Sequence, residues 1–367
     1  MVLVPVATLV VLSLTNPAEG KTSARTALAT MAAAMLGLLA IRALLPDEVI
    51  WPNSEVMRRC RWLVRHLESK PGWESTPVVI LTGSSATMYG LDPERIEHRL
   101  AEAGRYATVL PLSMSGATLH ERRYMLQNFI RLLGREGRQH LKSADLIVLN
   151  EVFDAYDHNP LYRMEKEAFS QRLIQFLNPE NAAKAWEAYT LQLSTEPDLP
   201  KWSVASSFVR HALLNIFAVG AAAEMEWPRG KKKKTGPFFA LDGHKGNFDY
   251  AQTCSAFEDA AQHPERGTVR LPFSQGVLSL THLLEPLRSY RYRQGFYALP
   301  TLEPVRRNYA QDLRQAVGPS TAFIGPASRA DLEPMLSEDV WYDGVHPTGK
   351  GAELFSDWFA SKLVGIL

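Results

Sequence analysis

The sequence predicts an α/β protein: a doubly wound, parallel, five-stranded sheet with a mainly helical insertion and an N-terminal membrane segment. Three observations lead there. Five short apolar runs after residue 70 have the composition of buried strands, and helix-like stretches separate the early ones. The chain of 367 residues is 46% hydrophobic and 22% charged, which fits a folded globular protein and excludes both disorder and a multi-span membrane protein. One long apolar stretch stands apart from the rest, near the start.

The elements follow in chain order. Met1–Thr15 carries no charge, but it is only about half a bilayer-spanning length and lacks the positive start of a secretory signal. Thr26–Leu45 is about twenty residues long, enough to cross a hydrocarbon layer of roughly 30 Å. Its one charge, Arg42, lies near the far end, where a long side chain can snorkel to water. Lys21 and Arg25 precede it, while Asp47 and Glu48 follow. The positive-inside rule then places residues beyond Pro46 outside the cytoplasm. Two alternatives stand beside this reading: a buried Ala-rich helix of the globular domain, or a hairpin in which Met1–Thr15 forms a second, short span.

The strand candidates are Val78–Thr82, Ala107–Leu112, Asp145–Asn150, Gly295–Pro300 and Thr321–Gly325, with Val78–Thr82 expected at the centre. Pro93–Glu102 and Leu119–Leu133 read as helices between them. Parallel strands joined by right-handed crossovers leave few topologies, of which a doubly wound sheet is the simplest. Between Pro160 and Arg293 the pattern stops, and Met164–Leu177, Pro179–Thr190 and Ser203–Met225 are helical in character. The expected organisation is therefore an anchor region over residues 1–50, a catalytic domain from 70–160 and 294–367, and a helical insertion over 161–293. The insertion carries Lys231–Lys234, either a solvated loop or a site of attraction for anionic lipid or polysaccharide.

Charge and cysteine usage exclude further classes. Lys plus Arg is 40 and Asp plus Glu is 39, so the net charge of +1 leaves no basic surplus for general nucleic-acid binding. Two cysteines, Cys60 and Cys254, cannot build a disulfide scaffold or a four-cysteine zinc site. They form one bond in an oxidising compartment or remain two free thiols. His120, His158, His211, His244 and His282 show no metal-ligand spacing, so no metal and no cofactor are expected.

The chemistry-bearing residues fall at strand ends, where open α/β sheets bind ligands. Gly83-Ser84-Ser85-Ala86-Thr87 follows the first run and precedes a helix near Asp92-Pro93. A serine on such a turn offers an exposed hydroxyl beside a backbone N–H, the pair that nucleophilic acyl chemistry needs. The competing readings are a helix N-cap and a phosphate-binding turn, but no Gly-Lys-Ser/Thr follows as a P-loop requires. Near the C-terminus, Asp343-Gly344-Val345-His346 precedes a closing helix, Gly349–Leu363. Three residues apart on a turn, Asp343 can hold the imidazole of His346 in one tautomer, which is what a serine's general base requires. Against this stand a capping Asp and a surface His.

Together these residues resemble the SGNH (GDSL-like) hydrolase family. Its four blocks map onto Gly83-Ser84-Ser85, with Ser84 where the family has Asp; onto Ser115-Gly116 after the second run; onto Asn150 at the end of the third; and onto Asp343 and His346. The resemblance covers residues 78–160 and 295–363 and implies an SGNH, flavodoxin-like sheet. It also implies that Ser85 is the nucleophile, that His346 is the base oriented by Asp343, and that Ser85, Gly116 and Asn150 form the oxyanion hole. Asn150 lacks the family's usual Gly-x-Asn-Asp context. The GSSATMYGLDP form of the first block is similar to a membrane-anchored bacterial branch that moves or removes acyl groups on cell-surface polymers.

That likeness implies an O-acyl, expectedly acetyl, transferase or esterase at the bacterial inner membrane. The anchor would be Thr26–Leu45 and the catalytic domain would lie in the periplasm. Its partners would be a polysaccharide or other acylated envelope substrate, the membrane and a membrane-bound acyl-donor protein. A periplasmic lipase or thioesterase for small acyl substrates is the alternative enzyme, and a non-catalytic glycan-binding protein the alternative of another class. The α/β-hydrolase elbow is disfavoured, because it needs Gly at position 87, which is Thr. Trp186, Trp202 and Trp227 are candidates to line a glycan groove. Asp154, Asp157 and His158 are candidates for substrate contact or a polar loop, and Asp242-Gly243-His244 for a lid.

Overall fold

A computed structural model describes residues 22–117, 119–151, 171–178, 180–183, 186, 201–216, 238–262, 283–303, 321–326 and 329–367. The chain divides into two compact units, residues 1–52 with 164–228, and residues 53–163 with 229–367. The second unit takes in 53–69 and 229–293, which the sequence reading had left outside the catalytic domain.

In the first unit, helix α1 spans Thr22–Leu44, where the membrane segment was expected. The anchor finds no support here. Among the described residues no helix is long and apolar enough to cross a membrane. Arg42, expected to snorkel, is instead buried and paired with Asp47. Its Nε donates to Asn215 Oδ1 at 2.8 Å, and Asn178 donates to the other Asp47 oxygen at 2.8 Å. A buried ion pair persists only when its remaining hydrogen-bonding positions are met, and here two amides meet them.

The second unit is built on the sheet. Its elements are α2 (Glu55–Glu68), β1 (Val78–Gly83), α3 (Ser85–Gly90), α4 (Pro93–Glu102), β2 (Thr108–Ser113), α5 (Leu119–Leu132), α6 (Gly134–Ser143) and β3 (Leu146–Glu151). After these come α9 (Tyr250–Gln262), β4 (Tyr292–Tyr297), β5 (Ala322–Ile324) and α10 (Gly349–Leu363), while the first unit holds α7 (Gln171–Phe176) and α8 (Lys201–Ile216). All five strands are parallel, in the order β2-β1-β3-β4-β5. The middle strand is β3, with β1 beside it, rather than β1 itself as expected.

Every residue of β1, β2 and β3 is buried, which is why these strands read as unbroken apolar runs rather than alternating ones. β4 begins three residues before its apolar run: Tyr292 is half-buried and Arg293 and Gln294 are exposed, yet the three pair with Leu146, Ile147 and Val148. Apolar composition could not mark a strand end that is not buried.

On one face, Val79, Leu81, Val109, Ile147, Leu149 and Tyr297 pack against Ile96 and Leu100 of α4 and Phe355, Phe359 and Leu363 of α10. Helices α2 and α5 pack on each other and on β2. Asp92 caps α4 through Glu94 N at 3.0 Å, and Thr348 caps α10 through Gly351 N at 3.2 Å. Arg95 grips Asp357 at 2.7 and 2.8 Å, and Arg99 does so at 2.8 and 2.9 Å, joining α4 to α10. These solvent-screened pairs contribute little to stability. Burial of each large side chain beneath them is worth roughly 1.5–3 kcal/mol, so packing sets the place of α10.

Cys60 and Cys254 are both free thiols. Cys60 is fully buried under α5, with Sγ 3.4 Å from the Met125 carbonyl, and burial pushes its thiol up to about 12. Cys254 is half-buried. Iodoacetamide should therefore alkylate Cys254 in the native protein and reach Cys60 only after denaturation, as peptide mass spectrometry would record. Equal labelling of both in the native state would contradict this packing.

Candidate active site

β1 ends at Gly83 and the chain turns directly into α3. Glycine is required there for lack of space: a Cβ at position 83 would lie 2.1 Å from Thr87 Oγ1. Ser84 caps the helix, its Oγ accepting from Ala86 N at 3.4 Å. The N-cap role that competed for this motif thus belongs to Ser84, and Ser85 is the first helical residue. Ser85 is half-buried, and among the described residues no protein group accepts from its backbone N–H.

The Asp343–His346 turn lies far along the chain, but the fold brings it to Ser85. His346 Nε2 lies 2.8 Å from Ser85 Oγ, and His346 Nδ1 lies 2.9 and 3.0 Å from the two Asp343 oxygens. Asp343 Oδ1 also accepts from the backbone N–H of Val345 at 2.9 Å and of His346 at 2.8 Å. Four contacts thus fix the carboxylate within its own turn. Two backbone bonds close the turn, from Tyr342 N and Asp343 N to the His346 carbonyl. Partial burial pushes the Asp343 carboxyl up. The hydrogen bonds and charge of His346 and the backbone N–H groups outweigh this and hold it at about 2.

With Asp343 ionised, His346 Nδ1 is the donor to it. The Nε2 lone pair then faces Ser85 Oγ–H. Tyr89, one turn beyond Ser85 on α3, sets its ring edge-on to the imidazole, with centroids 5.5 Å apart.

The oxyanion candidates are placed differently. Gly116 is the third residue of a turn closed by Ala117 N to Met114 O at 3.0 Å, just past β2, and its φ of +58° is one that favours glycine. Asn150 is not on the open edge. It is 1% exposed and is the register partner of Thr82. It accepts from Thr82 Oγ1 at 2.9 Å and donates to the Gly295 carbonyl of β4 at 3.3 Å. Its side chain ties three strands together.

The next residue, Glu151, was missed. Its buried carboxylate touches Ser84 and Thr87, on either side of Ser85. A charged residue ending an otherwise apolar strand was the available signal, since a buried carboxylate must find partners.

Segment 238–245 runs along the Asp343 turn. His244 Nδ1 lies 2.7 Å from the Trp341 carbonyl, Lys245 N donates to Tyr342 O at 2.9 Å, and Gly349 N donates to Leu241 O at 3.0 Å. The stretch proposed as a lid is thus a brace against the turn that carries His346. Trp186 and Trp202 belong to the first unit, and both are exposed. Trp227, Asp154, Asp157, His158 and Lys231–Lys234 lie outside the described residues. Among the described residues no cluster of His, Cys, Asp or Glu could hold a metal ion. No family model matches the chain, and no curated protein matches it in sequence.

Two outcomes follow from this geometry. Asp343 is held below its ordinary 3.8, so its stabilising share is present above about pH 4 and is lost as pH falls through about 2. The melting-temperature gap between wild type and Asp343→Asn should narrow as pH falls from about 4 towards 2. Asn150→Ala should act on stability, by about 1–3 kcal/mol in urea unfolding, because it strands the Thr82 hydroxyl and the Gly295 carbonyl.

Proposed function

We propose that the protein is a serine-dependent O-acyl transferase or esterase working through an acyl-serine intermediate. Its substrate would be a cell-envelope or exported polysaccharide, and the acyl group would be acetyl. The observation that carries the chemistry is the unbroken relay from Asp343 through His346 to Ser85 Oγ, with contacts of 2.9 and 2.8 Å. The polymer rests on the resemblance of the GSSATMYGLDP turn to the envelope-acylating branch of the SGNH family. A location at the cell envelope belongs to the same proposal. It is supported by the charge pattern around 26–45 and by the exposed apolar side chains of Met31, Met35 and Leu36 on α1.

Ser85 is a weak nucleophile until its proton is removed. His346 Nε2 takes that proton as Ser85 Oγ bonds to the acyl carbonyl carbon, and Asp343 stabilises the imidazolium that forms. The carbonyl electrons move to oxygen, and the backbone N–H groups of Ser85 and Gly116 receive the oxyanion. Collapse expels the donor's leaving oxygen or sulfur, which takes the proton from Nε2. A sugar hydroxyl or water then gives its proton to Nε2 and attacks the acyl-serine, releasing Ser85.

Incubation with p-nitrophenyl acetate followed by peptide mass spectrometry tests the reading. Wild type should carry an acetyl group on Ser85, and Ser85→Ala should carry none and release no nitrophenol above background. Asp343 stays ionised above about pH 4, so its own protonation should cause no loss of activity there, as a pH profile would check. A label on another serine, or none on a folded wild type, would refute the proposal.

A further inference from the structure

We infer that Glu151, backed by Arg122, is the positioning residue of the nucleophile turn; this rests on the reading of Ser85 as the nucleophile. Glu151 closes β3, and its side chain reaches under the turn that follows β1. One carboxylate oxygen accepts from Ser84 Oγ at 3.0 Å. The other accepts from the Ser84 backbone N–H and from Thr87 Oγ1 at 3.0 Å. Three donors, drawn from the residues on either side of Ser85, thus converge on one carboxylate that is 5% exposed.

Arg122 of α5, fully buried, stands on the far side. Its Nη2 is 3.5 Å from the same carboxylate, and its Nη1 faces the backbone carbonyls of Glu151 at 3.3 Å and Thr82 at 3.4 Å. It therefore holds the carboxyl ends of β1 and β3 together while balancing the Glu151 charge.

The arrangement answers a problem that the turn creates. Past Gly83 the ladder stops, and the peptide groups of 84 and 85 have no strand to pair with. The Glu151 carboxylate takes the Ser84 N–H inward, and no protein group among the described residues accepts from the Ser85 N–H. Held at both its backbone N–H and its hydroxyl, Ser84 is fixed in place, and with it the start of α3 that carries Ser85. A neutral side chain of the same shape would change that hold. An amide in place of the carboxylate turns one accepting end into a donor, set against the Ser84 and Thr87 donors. Small displacements of a reacting group cost up to about 10² in rate, so the effect should fall on turnover rather than on substrate binding.

The test uses the full chain and a fluorophosphonate probe, which forms an Oγ–P bond with an activated serine, expels fluoride and leaves the serine proton on His346. Wild type should be labelled at Ser85. Glu151→Gln should fold, as circular dichroism would verify. It should label about 10–100-fold more slowly at saturating probe and show the same fall in kcat, with unchanged KM, for p-nitrophenyl acetate. A merely structural Glu151 would lower the yield of active protein and leave the rate constant alone. That result, with wild type labelled at Ser85, overturns the inference and spares the proposed function. A wild type that is not labelled overturns both. Should Glu151→Gln fail to fold, Ser84→Ala decides the matter. It removes one donor hydroxyl and should slow labelling several-fold, and an unchanged rate would overturn the inference.

Discussion

Parallel strands end together, and in this protein the ends of β1, β2 and β3 are where everything else is attached. The ladder gives out at Gly83, Ser113 and Glu151, leaving backbone groups that nothing in the sheet can pair. Helix α3 begins at once on β1, a glycine turn follows β2, and a carboxylate closes β3. The chain leaving β1 goes towards β2 and the chain leaving its neighbour β3 goes towards β4, so the two strand ends form the switch point at which open α/β sheets bind ligands. Ser85 stands at that point because the chain has to turn there.

The other half of the site comes from the opposite end of the sequence, and it is placed by packing. Helix α10 buries Phe355, Phe359 and Leu363 against the sheet. Trp341, just before the Asp343 turn, stacks edge-on with Phe355 at 5.4 Å and donates Nε1 to the Met335 carbonyl at 2.7 Å. The turn between them is thus gripped from both sides, and segment 238–245 braces it from a third. A histidine held this way meets Ser85 in the protein as it stands, and under the proposed function that is the preorganisation a general base needs.

Most of this frame was legible in the residues. Asp343 and His346 are three apart, so their contact is a local matter of turn geometry, and buried strands announce themselves as apolar runs. What could not be read was whatever depends on register or on distant partners. Asn150 and Glu151 are adjacent, and the sequence does not say which of them meets the turn that carries Ser85. Only the pairing of Thr82 with Asn150 settles that the amide is engaged inside the sheet and that the carboxylate reaches Ser84. The start of β4 was hidden because Arg293 and Gln294 are exposed. Arg42 looked like a membrane-edge residue because Asn215, which it meets in the fold, is 173 positions away.

A crystal structure of the protein phosphonylated by a small fluorophosphonate tests the central claim most directly. The account predicts phosphorus bonded to Ser85 Oγ, His346 still bonded to Asp343 through Nδ1, and one phosphonyl oxygen within hydrogen-bond reach of the backbone N–H groups of Ser85 and Gly116. Asn150 would remain closed between Thr82 and Gly295. A phosphonyl oxygen out of reach of both N–H groups, or an adduct on a serine other than Ser85, would contradict it.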